Sequence, residues 1–262
     1  MSARTGLALR VDGVALAHGG DPVVRGLSLD VRPGEVFVVV GPSGCGKSTL
    51  LRGLAGLLPV AAGSVHADGA AVTGPSPDRA LMFQDDALLP WRTARRNVEL
   101  PLAIRRVPRR ERRTRADRWL ARVGLDGQGH RLPAQLSGGM RQRVQLARTL
   151  AGEPRAILMD EPFGALDAQT RGAMQRLLVD VLRTTPATVV FVTHDVDEAL
   201  FLGDRVAVLG DEGIGTLVEV PHPRDAATRG TPLIRAARRE ILAALGAPEL
   251  ASAALHDRSV SC

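Results

Sequence analysis

Val36-Phe37-Val38-Val39-Val40-Gly41-Pro42-Ser43-Gly44-Cys45-Gly46-Lys47-Ser48-Thr49-Leu50-Leu51 is the stretch from which the rest of the chain is read. Five consecutive apolar residues predict a strand buried on both faces, as in a parallel sheet. Ser48 onward reads as the start of a helix, so the glycine-rich segment lies between strand and helix, the order of a phosphate-binding loop. Gly41, Gly44 and Gly46 permit backbone angles and close approach that side chains would block, and successive N–H groups can then point at phosphate oxygens. Pro42, Ser43, Cys45 and Thr49 complete the loop. Lys47 is expected to reach the β- and γ-phosphates, Ser48 to hold Mg²⁺, and the helix N-terminus to add its positive end. An ordinary glycine turn is the plainer alternative.

Lys47 is also the chain's one lysine, against 33 arginines. Where arginine is used almost everywhere, a surviving lysine marks a place that needs a compact, flexible ammonium.

Two further apolar runs end in polar residues. Ala156-Ile157-Leu158-Met159 runs into Asp160-Glu161-Pro162, and Thr188-Val189-Val190-Phe191-Val192 into Thr193-His194-Asp195. Adjacent carboxylates at the end of a buried strand are costly unless each has a partner or a task. Asp160 suits the water shell of Mg²⁺, and Glu161 suits orienting and deprotonating a water that attacks the γ-phosphate. A solvated acidic turn and a surface histidine remain the plain alternatives for each run alone. Together, three buried strands deliver polar groups at their carboxyl ends, where open α/β sheets place ligands.

Composition bounds the rest. The chain has 262 residues, 45% hydrophobic and 24% charged, which is enough to bury a substantial core. No uncharged apolar run reaches the roughly 18 to 20 residues of a membrane crossing. Two cysteines, Cys45 and Cys262, and an opening that reaches Arg10 and Asp12 before any long apolar run make the cytosol the expected compartment. A net charge of +6 suits an anionic partner, while five Phe, two Trp and no Tyr leave few platforms for stacking bases, so no nucleic acid is expected.

Leu136-Ser137-Gly138-Gly139-Met140-Arg141-Gln142-Arg143 heads a predicted helix with Ser137 as N-cap and Met140, Val144, Ala147 and Ala151 at helical spacing. Standing between the phosphate loop and the Asp160-Glu161 strand, it resembles the signature motif of the ATP-binding cassette family, and the resemblance runs over about residues 7 to 215. It implies an α/β fold: a P-loop NTPase core with a mostly parallel sheet, an antiparallel β subdomain and an α-helical insertion subdomain. Further roles follow from it. Gln84 resembles the glutamine that contacts Mg²⁺ and the attacking water; Ala165-Leu166-Asp167 the loop that crosses to a partner subunit; His194 the histidine at the γ-phosphate. Ser137, Gly138 and Gly139 resemble the residues that meet ATP held by the opposite subunit, so two copies would work head to tail around two ATP molecules. His18 stands where the family commonly stacks an aromatic on adenine, and Met140 replaces the commoner glutamine.

The same resemblance divides the chain into a catalytic domain over 5–220, with the insertion at about 86–152, and a helical tail over 221–262. Leu7 to Val14 and Leu27 to Val31 read as antiparallel strands, and Leu233 to Leu245 as a helix facing inward through Ile234, Ala237, Ile241 and Leu245. Arg105 to Arg118 is an arginine-rich stretch, read either as an exposed helix face or as attraction to an anionic membrane surface. Ala87-Leu88-Leu89-Pro90-Trp91 lies where relatives dock a permease helix, though it could equally be local core. The Leu88 to Trp91 stretch, Pro223-Arg224-Asp225 and Arg238 to Leu242 resemble the importer ATPases for nitrate, sulfonates and taurine. That implies an ATPase subunit at the cytoplasmic face of the membrane, working with permease subunits and, indirectly, a solute-binding protein. Another transporter branch, exporters included, and a soluble cassette protein are the competing readings.

Overall fold

A computed structural model describes residues 6–17, 20–210, 213–221, 223–225 and 230–246. In chain order its elements are β1 (Leu9–Ala17), β2 (Pro22–Val31), β3 (Val36–Val40), α1 (Lys47–Ala55), β4 (Val60–Ala67), β5 (Ala70–Ala71), β6 (Arg79–Met82), α2 (Ala94–Ile104), α3 (Arg109–Arg122), α4 (Gly138–Ala151), β7 (Ala156–Asp160), α5 (Ala168–Leu182), β8 (Thr188–Thr193), α6 (Val196–Leu202), β9 (Arg205–Gly210), β10 (Gly213–Glu219) and α7 (Pro232–Ala244).

Two sheets form. The first is antiparallel in the order β2-β1-β4-β5; the second runs β10-β9-β3-β8-β7-β6, parallel except for β10 at its edge. The five apolar residues of β3 are all buried because both faces of the central sheet are covered, which is why the strand shows no alternation. Val36, Val38 and Val40 pack into a core shared with α2, α3, α4, α5, α6 and α7, whereas Phe37 and Val39 join the core under β1, β2 and α1.

The parallel neighbours β6 and β7 bracket α2, α3 and α4, so the helices form one long insertion between two strands of the central sheet. Sequence expectations hold with shifted ends: the first strand begins at Leu9 rather than Leu7 and extends to Ala17, and the second begins at Pro22 rather than Leu27. Helix α7 packs Ala237, Ile241 and also Leu242 inward, with Ile234 and Leu245 partly buried beside them. A bidentate pair between Glu35 and Arg205 ties the start of β3 to the start of β9, both side chains buried and the guanidinium lying over the Phe37 ring. No helix among the described residues is long and apolar enough to cross a membrane.

Candidate functional site

The chain leaves β3 at Gly41 and enters α1 at Lys47. Gly46 is the N-cap, with φ at 97°, and a Cβ there would meet Cγ2 of Val24 at 2.5 Å, so neither the angle nor the space admits a side chain. Pro42, Ser43 and Gly44 are exposed at the mouth of the loop, while Cys45, Lys47 and Thr49 are buried. The Lys47 ammonium donates to the carbonyls of Gly41, at 2.8 Å, and Pro42, at 2.7 Å, which holds it inside the loop. The first turn of α1 carries no acidic residue, so its positive end is not neutralised locally.

At the carboxyl end of β7, the Asp160 carboxylate accepts a 2.9 Å hydrogen bond from the Ser48 hydroxyl. Burial pushes its carboxyl up from the usual range and Glu161 adds to the shift, against the opposing pull of the Ser48 hydrogen bond, Arg52 and Lys47. Glu161 takes a left-handed backbone, φ 41°, rare for a residue with a side chain, and its N–H donates to the Val192 carbonyl at 3.0 Å. That turn sets its carboxylate against His194, just past β8, with Nδ1 2.9 Å from Oε2. Ser48, Asp160, Glu161 and His194 thus meet at neighbouring strand ends, as the apolar runs predict.

Gln84 is exposed two residues beyond β6, whose last residue pairs with Met159 of β7. Its neighbours are gripped by α4, a feature that sequence reading misses. The fully buried Gln145 donates to the carbonyls of both Phe83 and Asp85 at 2.9 Å, Arg141 pairs with Asp86 at 2.6 Å, and Arg148 donates to the Ala87 and Asp86 carbonyls. Their spacing of four and three residues, one face of a helix, is the only signal available, and it is equally compatible with a solvated face.

Ser137 caps α4, its hydroxyl accepting from the Met140 N–H at 3.3 Å. Ser137, Gly138 and Gly139 line a cavity of about 710 Å³ with Ala165, Leu166 and Asp167. A Cβ on Gly139 would stand 3.0 Å from Cγ2 of Thr170. Asp167 caps α5, and the backbone and hydroxyl hydrogen bonds from Thr170 hold its carboxyl below the usual range. The predicted residues therefore fall into two groups: the phosphate loop with the strand ends, and the signature with the Ala165-Leu166-Asp167 loop. His18 lies outside the described residues. Val24 covers Gly46, with the exposed Val23 next to it, so the start of β2 borders the phosphate loop, another neighbour not read from sequence.

The stretch from Ala87 to Trp91 divides. Leu88 is buried in the main core and Trp91 is 73% exposed, so the expectation of one apolar surface holds at Trp91 and is corrected at Leu88, which points inward among the helices. Trp91 borders a groove of about 450 Å³ with Arg96, Glu99, Arg109 and Arg112. In the arginine-rich stretch Arg105 pairs with Asp78 and Arg115 with Glu111 and Glu153, while Arg109, Arg110, Arg113 and Arg118 are exposed.

Residues 24–164 match the family model described as ABC transporter. The chain is 50% identical over 218 residues to the taurine import ATP-binding protein TauB of Chromobacterium violaceum, covering 82% of this chain and 83% of that one. It is 45% identical over 246 residues to the aliphatic sulfonates import ATP-binding protein SsuB 2 of Xanthomonas axonopodis pv. citri, covering 93% and 81% respectively. Among solved structures, the ATP-binding cassette MJ0796 in a dimeric post-hydrolysis state bound to ADP and Pi superposes with a TM-score of 0.73 at 32% identity, over 81% of this chain and 99% of that one. With its phosphate loop, strand-end carboxylates and signature helix in one fold, the chain belongs to the ABC transporter family.

Proposed function

We propose that this chain is the ATP-hydrolysing subunit of an importer for taurine or related small sulfonates, acting on a separate permease at the cytoplasmic face of the membrane. A solute-binding protein would deliver the substrate from the other side. The catalytic domain spans about 5–220, with the helical insertion at about 86–152, and α7 (Pro232–Ala244) belongs to a tail beyond it. The observation that carries the catalytic reading is the split of the site: Ser48, Asp160, Glu161 and His194 cluster at the strand ends, whereas Ser137 and Gly139 line a separate cavity. One copy holds the phosphates and a second, head to tail, closes over them. Likeness to relatives named for taurine and aliphatic sulfonate import supports the solute class.

In this reading the N–H groups of Gly44, Cys45, Gly46 and Lys47 cradle ATP, and the Lys47 ammonium exchanges the Gly41 and Pro42 carbonyls for phosphate oxygens. The Ser48 hydroxyl and Asp160 carboxylate are a hard oxygen pair at 2.9 Å, and the raised carboxyl of Asp160 is what a site awaiting positive charge should have, so the residues fit Mg²⁺. Bound there, Mg²⁺ would neutralise charge on the phosphates. Glu161 takes a proton from the water whose oxygen bonds to the γ-phosphorus as the bond to the ADP oxygen breaks, giving ADP and phosphate. His194 orients Glu161 and presents its other ring nitrogen to the γ-phosphate, and Gln84 positions the water and would help hold Mg²⁺. His18 is assigned to the adenine.

Deleting the gene and growing the strain on taurine or an alkanesulfonate as sole sulfur source tests the assignment. Loss of growth, restored by the intact gene and not by Glu161→Gln, is expected; normal growth of the deletion strain on all such anions overturns the solute class.

A further inference from the structure

The turn after α5 begins is tied to the segment containing His194 by one side chain. Arg171, one turn into α5, donates through Nη2 to the Leu166 carbonyl at 3.1 Å and through Nη1 to Oδ2 of Asp195 at 3.1 Å. Leu166 immediately precedes Asp167, the N-cap of α5; Asp195 directly follows His194. The other oxygen of Asp195 accepts the N–H groups of Asp197 and Glu198 at 2.9 and 3.0 Å, which makes it the N-cap of α6.

A second, buried layer runs parallel to this one. The Thr193 hydroxyl, on the other side of His194, donates to Glu198 at 2.6 Å and accepts the Asp195 N–H at 3.0 Å. Gln175, one turn beyond Arg171 on α5, donates to the same Glu198 carboxylate at 3.0 Å. Burial pushes the Glu198 carboxyl up, against the pull of the Thr193 and Gln175 hydrogen bonds and, last, of the Arg171 charge. His194 is thus flanked by Asp195, bonded directly to Arg171 of α5, and by Thr193, joined to α5 through Glu198 and Gln175, while its own ring is exposed and bonds Glu161.

We propose that Arg171 is a positioning residue that links the Ala165-Leu166-Asp167 loop to His194, so that the loop, once seated on a second copy, holds the imidazole in the contact with Glu161 that one copy already makes. The inference rests on the roles proposed above for that loop and for His194. A planar guanidinium suits the task because its two terminal nitrogens serve two acceptors in one fixed geometry; an ammonium in its place holds one or the other. The pair is partly exposed, at 30% and 31% of the two side chains, so it adds little to stability and its loss leaves the fold standing.

The test uses Arg171→Met, Arg171→Lys and Asp195→Asn in the full chain, purified with its permease. Arg171→Met is expected to keep the KM for ATP within about twofold and to lower kcat at least about tenfold, as for an interaction made only in the transition state. Arg171→Lys should not rescue it, and Asp195→Asn with Arg171→Met should cost no more than either alone. Nitrogen-15 spectra of the imidazoles, with the His194 signal identified by its loss in His194→Asn, give a second readout that needs no turnover: the Nδ1 resonance should shift in Arg171→Met. Unchanged kcat with an unchanged His194 resonance overturns the proposal, as does a loss confined to KM or to thermal stability. In a Glu161→Gln background, Arg171→Met should still dimerise with MgATP. If Glu161→Gln alone stays monomeric, it is the shared-site reading that fails rather than the coupling.

Discussion

Nδ1 of His194 lies 2.9 Å from Oε2 of Glu161, across the ends of two neighbouring parallel strands. The contact uses Nδ1 and, in the proposed reading, leaves Nε2 of the exposed ring for the γ-phosphate. The left-handed backbone of Glu161 is what brings the two together, and such strain in a residue with a side chain is kept where surrounding structure enforces it.

Glu161→Gln keeps the shape and removes the base. Turnover should fall by at least about 100-fold while MgATP still binds. Light scattering should then find an ATP-bound dimer; monomer alone at saturating MgATP, in a variant shown to bind nucleotide, counts against the shared site.

Asp160→Asn should separate stability from activity. Because burial raises the Asp160 carboxyl, the folded chain holds that proton more tightly than the unfolded chain, and stability falls as pH rises through the window above the ordinary carboxylate range. The variant removes a buried charge, so without nucleotide it should be more stable at pH 7, with the gain shrinking toward pH 4. Hydrolysis should be lost. Equal denaturant midpoints for both proteins at pH 7 would show that the carboxylate is not strained there.

Gly46→Ala places a methyl where Val24 stands and forces an unfavourable φ, costing about 1–2 kcal/mol for the backbone alone. Nucleotide affinity, read by fluorescent ATP analogue titration, should drop with stability. Wild-type affinity would mean that the loop rearranges freely.

Trp91→Ala and Leu88→Ala should part company. Trp91 is exposed, so its loss should change stability by less than about 0.5 kcal/mol and leave nucleotide binding intact, while co-purification with the permease is lost. Leu88 is core, and its truncation should cost about 2–5 kcal/mol in a melt. A Trp91 variant that unfolds, or one that still holds the permease and supports growth, removes the docking assignment.

What was legible in the sequence is what local pattern encodes. Unbroken apolar runs gave β3, β7 and β8 because both faces of the central sheet are covered, and the polar residues closing those runs come together because β3, β8 and β7 are parallel neighbours. Capping chemistry marked the start of α4 at Ser137. Contacts made at a distance carry no such period. Gln145 holds the carbonyls on both sides of Gln84 from about 60 positions away, Arg171 finds Asp195, and Glu35 meets Arg205 across 170 positions; each reads in sequence as one more polar residue on a helix or at a strand end. Leu88 and Trp91 stand three positions apart in an irregular segment, where neither helix nor strand spacing says which turns inward.

With Lys47 as its one lysine, the chain has a single side-chain amine, and that amine is tucked against the carbonyls of Gly41 and Pro42 with little surface open to a reagent. Among side chains, amine-directed acylating probes, amine-coupled surfaces and enzymes that modify lysine therefore find a target in the phosphate loop alone. A label on that lysine reports on the nucleotide site, and its exclusion by ATP can be read on the intact protein as the loss of one mass increment.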